Sequence, residues 1–219
     1  MFNIGLAVLP TIVIIGYILW FDRYNKEPIG LLIMLFLFGC LSVIPALILE
    51  NFVPDISSVY TYFGLFIYCL LGIALIEEGV KFFTTKVIAY RNKAFDEIYD
   101  GIIYCVMVSL GFATIENIMY VQAYGASVAL LRAITAVPAH TIFAVTMGYY
   151  LGLSKAFPSK RSLYQLLSLA MPILLHGIYD FIIYVSYDWL MLIFIVYALY
   201  LYRKAFMLVK RTYNIEPFR

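Results

Sequence analysis

Charge is what this sequence has least of. Asp, Glu, Lys and Arg make up 13% of its 219 residues, while 64% are hydrophobic. A soluble domain carries about twice that share of charge, so an ordinary water-soluble fold is excluded. Histidine is scarcer still, with His140 and His176 alone. The three cysteines, Cys40, Cys69 and Cys105, share no short spacing. That excludes a disulfide framework or a zinc knuckle and leaves them as small packing residues. The net charge is +2, and the basic residues form no stripe, which excludes a nucleic-acid partner. Repeats, low-complexity tracts and long linkers are missing, and so is an HExxH metalloprotease motif.

What is present is a series of long apolar runs with short polar breaks. At about 20 residues per crossing, they predict an all-α, polytopic transmembrane bundle of about seven spans, forming one domain over 1–219. The spans are expected near 3–21, 29–49, 60–88, 99–123, 128–151, 163–185 and 188–203. The first run lacks a basic leader and a small-residue cleavage site, so it reads as a retained span. Lysine and arginine alternate strictly between loops: two in the first (Arg23, Lys26), none in the second, two in the third (Arg91, Lys93), none in the fourth, three in the fifth (Lys155, Lys160, Arg161) and none in the sixth. The tail is basic again. The positive-inside rule then places the N-terminus outside and the C-terminus in the cytoplasm. Tyr17, Trp20, Tyr60, Tyr62, Tyr187 and Trp189 crowd the expected edges, as an interfacial belt does.

Against this background a few polar residues stand out. A charge at bilayer depth costs about 2.5–3.5 kcal/mol even on mild insertion scales. The third span carries IEEGVKFF, in which Lys81 lies within helical reach of both Glu77 and Glu78. An intrahelical ion pair explains one glutamate and not the second. The fourth carries Glu116 and Asn117 in SLGFATIENIMY, and the fifth carries Arg132 and His140 in RAITAVPAH, with Pro138 expected to kink the helix near His140. In the sixth, His176 and Asp180 share one face of LLHGIYDF, so the carboxylate can orient the imidazole. Each of the other three segments alone has a structural explanation. Both histidines and four separate spans together point to a shared polar cavity. Asp96, Glu97 and Asp100, before the fourth span, read as helix-capping acids.

The same residues resemble the PrsW family. IEEGVKFF, FDEIYDGIIY leading into SLGFATIENIMY, RAITAVPAH, MGYYLG and LLHGIYDF occur in the family's order and spacing almost end to end. The resemblance implies a bacterial intramembrane protease related to the CAAX prenyl protease superfamily. Its members make the first cut in a single-span, membrane-anchored anti-sigma factor, after which a site-two protease acts in a stress response. It ties Glu77, Glu78 and His176 to proteolysis, matches Phe112, Glu116 and Asn117 to FxxxEN, and matches His140 to the third motif. It also implies the bacterial cell membrane as the location.

The mechanism expected from these residues is peptide hydrolysis near the outer membrane face. Glu77 or Glu78 deprotonates a water, and His140 and His176 position it or stabilise the oxyanion. Asp180 orients His176, Lys81 holds the second glutamate, and Asn117 donates to the substrate backbone. His140, His176 and Glu116 would satisfy a catalytic zinc. Paired carboxylates sharing the acid and base roles tip the balance toward a metal-free water. The alternative class is a proton- or cation-coupled transporter, although neither an inverted repeat nor paired broken helices is legible.

Overall fold

The computed structural model describes residues 2–21, 26–185, 196, 197, 199, 200, 203, 204 and 207. Every regular element among them is helical. In chain order these are α1 (Phe2–Phe21), α2 (Ile29–Leu41), α3 (Val43–Glu50), a 3₁₀ turn (Ile56–Ser58), α4 (Tyr62–Ile67), a π-helical stretch (Tyr68–Ala74), α5 (Leu75–Ile88), α6 (Ile98–Tyr124), α7 (Ala126–Ile134), α8 (Ala136–Ala156), a second 3₁₀ turn (Pro158–Lys160) and α9 (Arg161–Val185). Among the described residues, five stretches are long and apolar enough to cross a membrane: Ile29–Glu50, Tyr62–Ile88, Ile98–Tyr124, Leu130–Ala156 and Pro158–Val185. In α1 the apolar stretch Ala7–Trp20 is shorter. Most of the expected seventh span, 188–203, lies outside the described residues.

Two spans are interrupted at a single residue each, with helix on both sides. One stops at Ser42 between α2 and α3, the other at Thr135 between α7 and α8. The cause is the same in both. Pro45 and Pro138 are the third residues of α3 and α8. A proline there is tolerated in a first turn, yet it has no N–H to bond the preceding helix and its ring clashes with the carbonyl four residues back. The kink expected near His140 therefore falls five residues earlier. The third span is continuous but widens into the π-helical turn just before the glutamates, a feature frequent at functional sites.

The central helix is α6. Ile98 through Thr114 are buried without interruption, as expected of a helix enclosed on all sides. Its start is fixed by a capping box, in which the Asp100 carboxylate accepts from the Glu97 N–H at 2.6 Å. Gly125, at φ 89°, ends it. Such a backbone conformation favours glycine. Helix α8 packs directly on α6 through glycines: a Cβ on Gly101 would lie 2.5 Å from the Gly148 carbonyl oxygen, and one on Gly152 2.6 Å from that of Ile98. Gly39 and Gly111 likewise bring the α2 and α6 backbones together. Small residues permit this approach where no hydrophobic effect drives helices together. The three cysteines are free thiols.

Candidate active site

The glutamates, the histidines and their partners converge at the floor of one cavity of about 650 Å³. Its walls come from α3, the π-helical stretch, α5, α6, α7, α8 and α9. Glu50, Val53 and Tyr184 place its mouth at the end of the bundle where α3 and α9 terminate. One ligand atom from each of Glu77, Glu78, His140 and His176 lies within 4.8 Å of the others.

Lys81 is the hub. Its Nζ donates to Glu77 Oε2 at 3.0 Å and Glu78 Oε1 at 2.8 Å, and lies 3.1 Å from His140 Nδ1. The Phe112 ring lies beneath it at 4.1 Å, a favourable position for a cation. The ammonium is 1% exposed. Burying it is tolerable because two carboxylates and a ring face surround it. The i,i+3 and i,i+4 spacing that allows both ion pairs was legible in the sequence; the third contact, to another helix, was not.

Each imidazole turns one nitrogen to the centre and the other to a carboxylate. His140 presents Nδ1 to Lys81 and Nε2 to Glu116 Oε2 at 2.9 Å. His176 presents Nδ1 to Glu78 Oε1 at 3.0 Å and Nε2 to Asp180 Oδ2 at 3.3 Å. The rings are 5.4 Å apart, and Phe143 stacks on His176 at 4.9 Å. Glu116 is also paired with Arg132 at 2.9 Å. Arg132 lies over Tyr120 at 3.9 Å and its Nε donates to Asn117 Oδ1 at 3.1 Å.

Glu77 lines the cavity, whereas Glu78 is wholly buried behind it. Glu78 Oε2 has no hydrogen-bond partner among the described residues. Asn117 is fully buried and gives its Nδ2 proton to the Ala7 carbonyl oxygen at 2.8 Å. It is absent from the cavity lining, so its amide is not placed to meet a substrate backbone. Two residues of the site carried no sequence signal: Phe143 was hidden among many aromatics, and Glu50 sits at a helix end where an acid reads as interfacial.

The donor set suits a metal ion. Two imidazoles and two carboxylates converge, one carboxylate oxygen is orphaned, and each histidine is held from behind by a carboxylate, the usual outer arrangement of metal-binding histidines. The converging group is Glu77, Glu78, His140 and His176; Glu116, expected as a ligand, instead bonds His140 from the far side. The Lys81 ammonium stands where such a cation would sit.

Carboxylates and imidazoles on the floor of a cavity within a membrane bundle define a membrane-embedded hydrolase. The comparisons supply the particular kind. Residues 27–206 match the family described as "PrsW family intramembrane metalloprotease", and the chain belongs to that family. It is 40% identical over 177 residues to Protease PrsW of Oceanobacillus iheyensis, covering 81% of this chain and 80% of that one. It is 37% identical over 204 residues to Protease PrsW of Clostridioides difficile, covering 90% and 86%. Against Protease PrsW of Bacillus subtilis the figure is 36% over 188 residues, covering 85% of each. No solved structure matches the chain. The chain is thus an intramembrane peptidase and a multi-pass membrane protein. The family description sits with the donor set rather than with a metal-free preference.

Proposed function

We propose that this peptidase makes the first cut in a single-span, membrane-anchored anti-sigma factor, on the extracytoplasmic side of the bacterial cell membrane. A site-two protease then acts on the shortened product. The observation that carries the hydrolytic part is the convergence of Glu77, Glu78, His140 and His176 beneath one open cavity. The location of the cut follows from topology. The cavity mouth lies at the end of the bundle whose loops lack lysine and arginine, which the positive-inside rule assigns to the outside.

The residues divide the work by position. Glu77 faces the cavity, so it takes the proton from the attacking water and returns it to the leaving amine. Glu78, behind it, fixes Lys81 and His176. Lys81 pairs directly with both carboxylates, which offsets the cost of burying the three groups together. His140 and His176 line the cavity on the other side of the reacting carbonyl and stabilise the oxyanion that forms there. Asp180 and Glu116 hold the rings in orientation. Where a metal is bound, Glu77, Glu78, His140 and His176 would hold it, and it would supply Lewis acidity toward water and carbonyl.

The test is cleavage in proteoliposomes. Purified protein is reconstituted with single-span anti-sigma factors from the same organism, and products are followed by gel and mass spectrometry. Wild type is expected to cut one substrate outside its membrane span, and Glu77→Gln to cut none. Normal turnover by a folded Glu77→Gln variant would remove Glu77 from the chemistry. No cleavage of any candidate by wild type would leave the substrate assignment without support.

A further inference from the structure

A chain of three hydrogen bonds and one ion pair leaves the cluster and ends on the backbone of α1. From His140 Nε2 it passes to Glu116 Oε2 at 2.9 Å, and from Glu116 Oε1 to the Arg132 guanidinium at 2.9 Å. Arg132 Nε then donates to Asn117 Oδ1 at 3.1 Å, and Asn117 Nδ2 donates to Ala7 O at 2.8 Å. Four helices contribute, and α1 lies before the residues that match the family. Asn117 is fully buried, with both ends of its amide committed.

We infer that Asn117 is a positioning residue, which uses the α1 backbone as an anchor to set the orientation of His140 through Arg132 and Glu116. The inference rests on the peptidase reading of the site. An amide suits the position because it accepts at one end and donates at the other. Aspartate in its place could not donate to Ala7, and a hydrophobic residue would leave the Ala7 carbonyl and the Arg132 Nε–H without their side-chain partner. An imidazole loses its productive orientation when the group behind its carboxylate partner moves, and losses of about 10–100-fold are typical of such supporting partners.

A second α1–α6 hydrogen bond offers a control. Thr11 Oγ1 and Thr114 Oγ1 are 2.9 Å apart and buried, and neither hydroxyl is a link in the chain to His140. The experiment compares reconstituted wild type, Asn117→Ala, Arg132→Lys and Thr11→Val/Thr114→Val. Cleavage kinetics are measured with the anti-sigma factor that wild type cuts. Imidazole nitrogen signals are recorded by NMR on ¹⁵N-histidine-labelled protein, which has only two histidines to assign. Asn117→Ala should lower kcat about 10–100-fold with KM unchanged, shift the His140 signals and leave those of His176 in place. Arg132→Lys keeps a positive charge beside Glu116 but has no Nε to bond Asn117, and should reproduce the shift. The threonine double variant should retain wild-type kinetics.

Three outcomes overturn the inference: an equal loss in the threonine variant, a rise in KM with kcat intact, or unmoved His140 signals in Asn117→Ala. Should wild type cut no anti-sigma factor, the substrate assignment fails by itself and the imidazole signals alone decide. A selective His140 shift upholds the anchoring, and no shift overturns it.

Discussion

At the scale of single residues, adjacent glutamates have unequal surroundings. Glu77 reaches the cavity and Glu78 does not, although the sequence presents them as equivalent. Glu77→Gln should therefore abolish turnover while leaving the melting temperature near that of wild type, a pair of results checked by proteoliposome kinetics and thermal unfolding in detergent. The loss expected for removing a general base is at least 10²-fold. Lys81→Met is the opposite case. Removing the ammonium leaves two buried carboxylates without their cation, and breaking such a buried pair costs about 3–5 kcal/mol. Denaturant unfolding should show that loss. Because Lys81 occupies the centre of the ligand set, the same variant should also bind zinc more tightly than wild type. Competitive titration against a chromogenic chelator measures this, and equal affinities would mean that lysine and metal do not share the position. The pairing of Lys81 with both glutamates was legible, since helical periodicity places i, i+3 and i+4 together. Its contact with His140 was not, because periodicity within one helix says nothing about a residue 59 positions away.

At the scale of elements, glycine faces decide how closely helices pack, and proline decides where they break. Gly148→Ala would drive a Cβ into the Gly101 backbone, 2.5 Å from Ile102 Cα. Backbone cannot step aside as a side chain can, so α6 and α8 must separate. A loss of about 1–3 kcal/mol is expected from such overpacking. Gly30→Ala meets nothing within 4 Å and should remain within about 0.5 kcal/mol of wild type. Parallel thermal melts in one detergent decide between them. The helix locations followed closely from hydropathy, which sums over many residues and tolerates local error. The breaks at Ser42 and Thr135 did not, because proline permits a kink, a break or an intact helix depending on what surrounds it. Pro172 illustrates the last outcome, lying inside the uninterrupted α9.

At the scale of the whole molecule, the bundle is a scaffold that gathers charge in an apolar solvent. Topology is the property most open to direct measurement. Ser57, in the exposed turn between α3 and α4, and Ser159, between α8 and α9, should lie on opposite sides. With cysteine introduced at each, a membrane-impermeant maleimide added to intact cells should label Ser57→Cys and spare Ser159→Cys; the reverse would invert the orientation and move the cavity mouth to the cytoplasm. The sequence by itself determined that this is a helical membrane protein, roughly where its spans lie and which polar residues are out of place in lipid. Those properties are additive along the chain: transfer free energy, loop charge and helical spacing need no knowledge of neighbours. The tertiary structure alone decided that Glu77, Glu78, His140 and His176 meet at one point. It also decided that Lys81 rather than Glu116 occupies their centre, and that Asn117 turns away from the cavity toward α1. Each of these depends on the rotation and offset of helices that contact one another through glycine faces and proline breaks, and side-chain meetings across such contacts are set by packing geometry rather than by any local pattern.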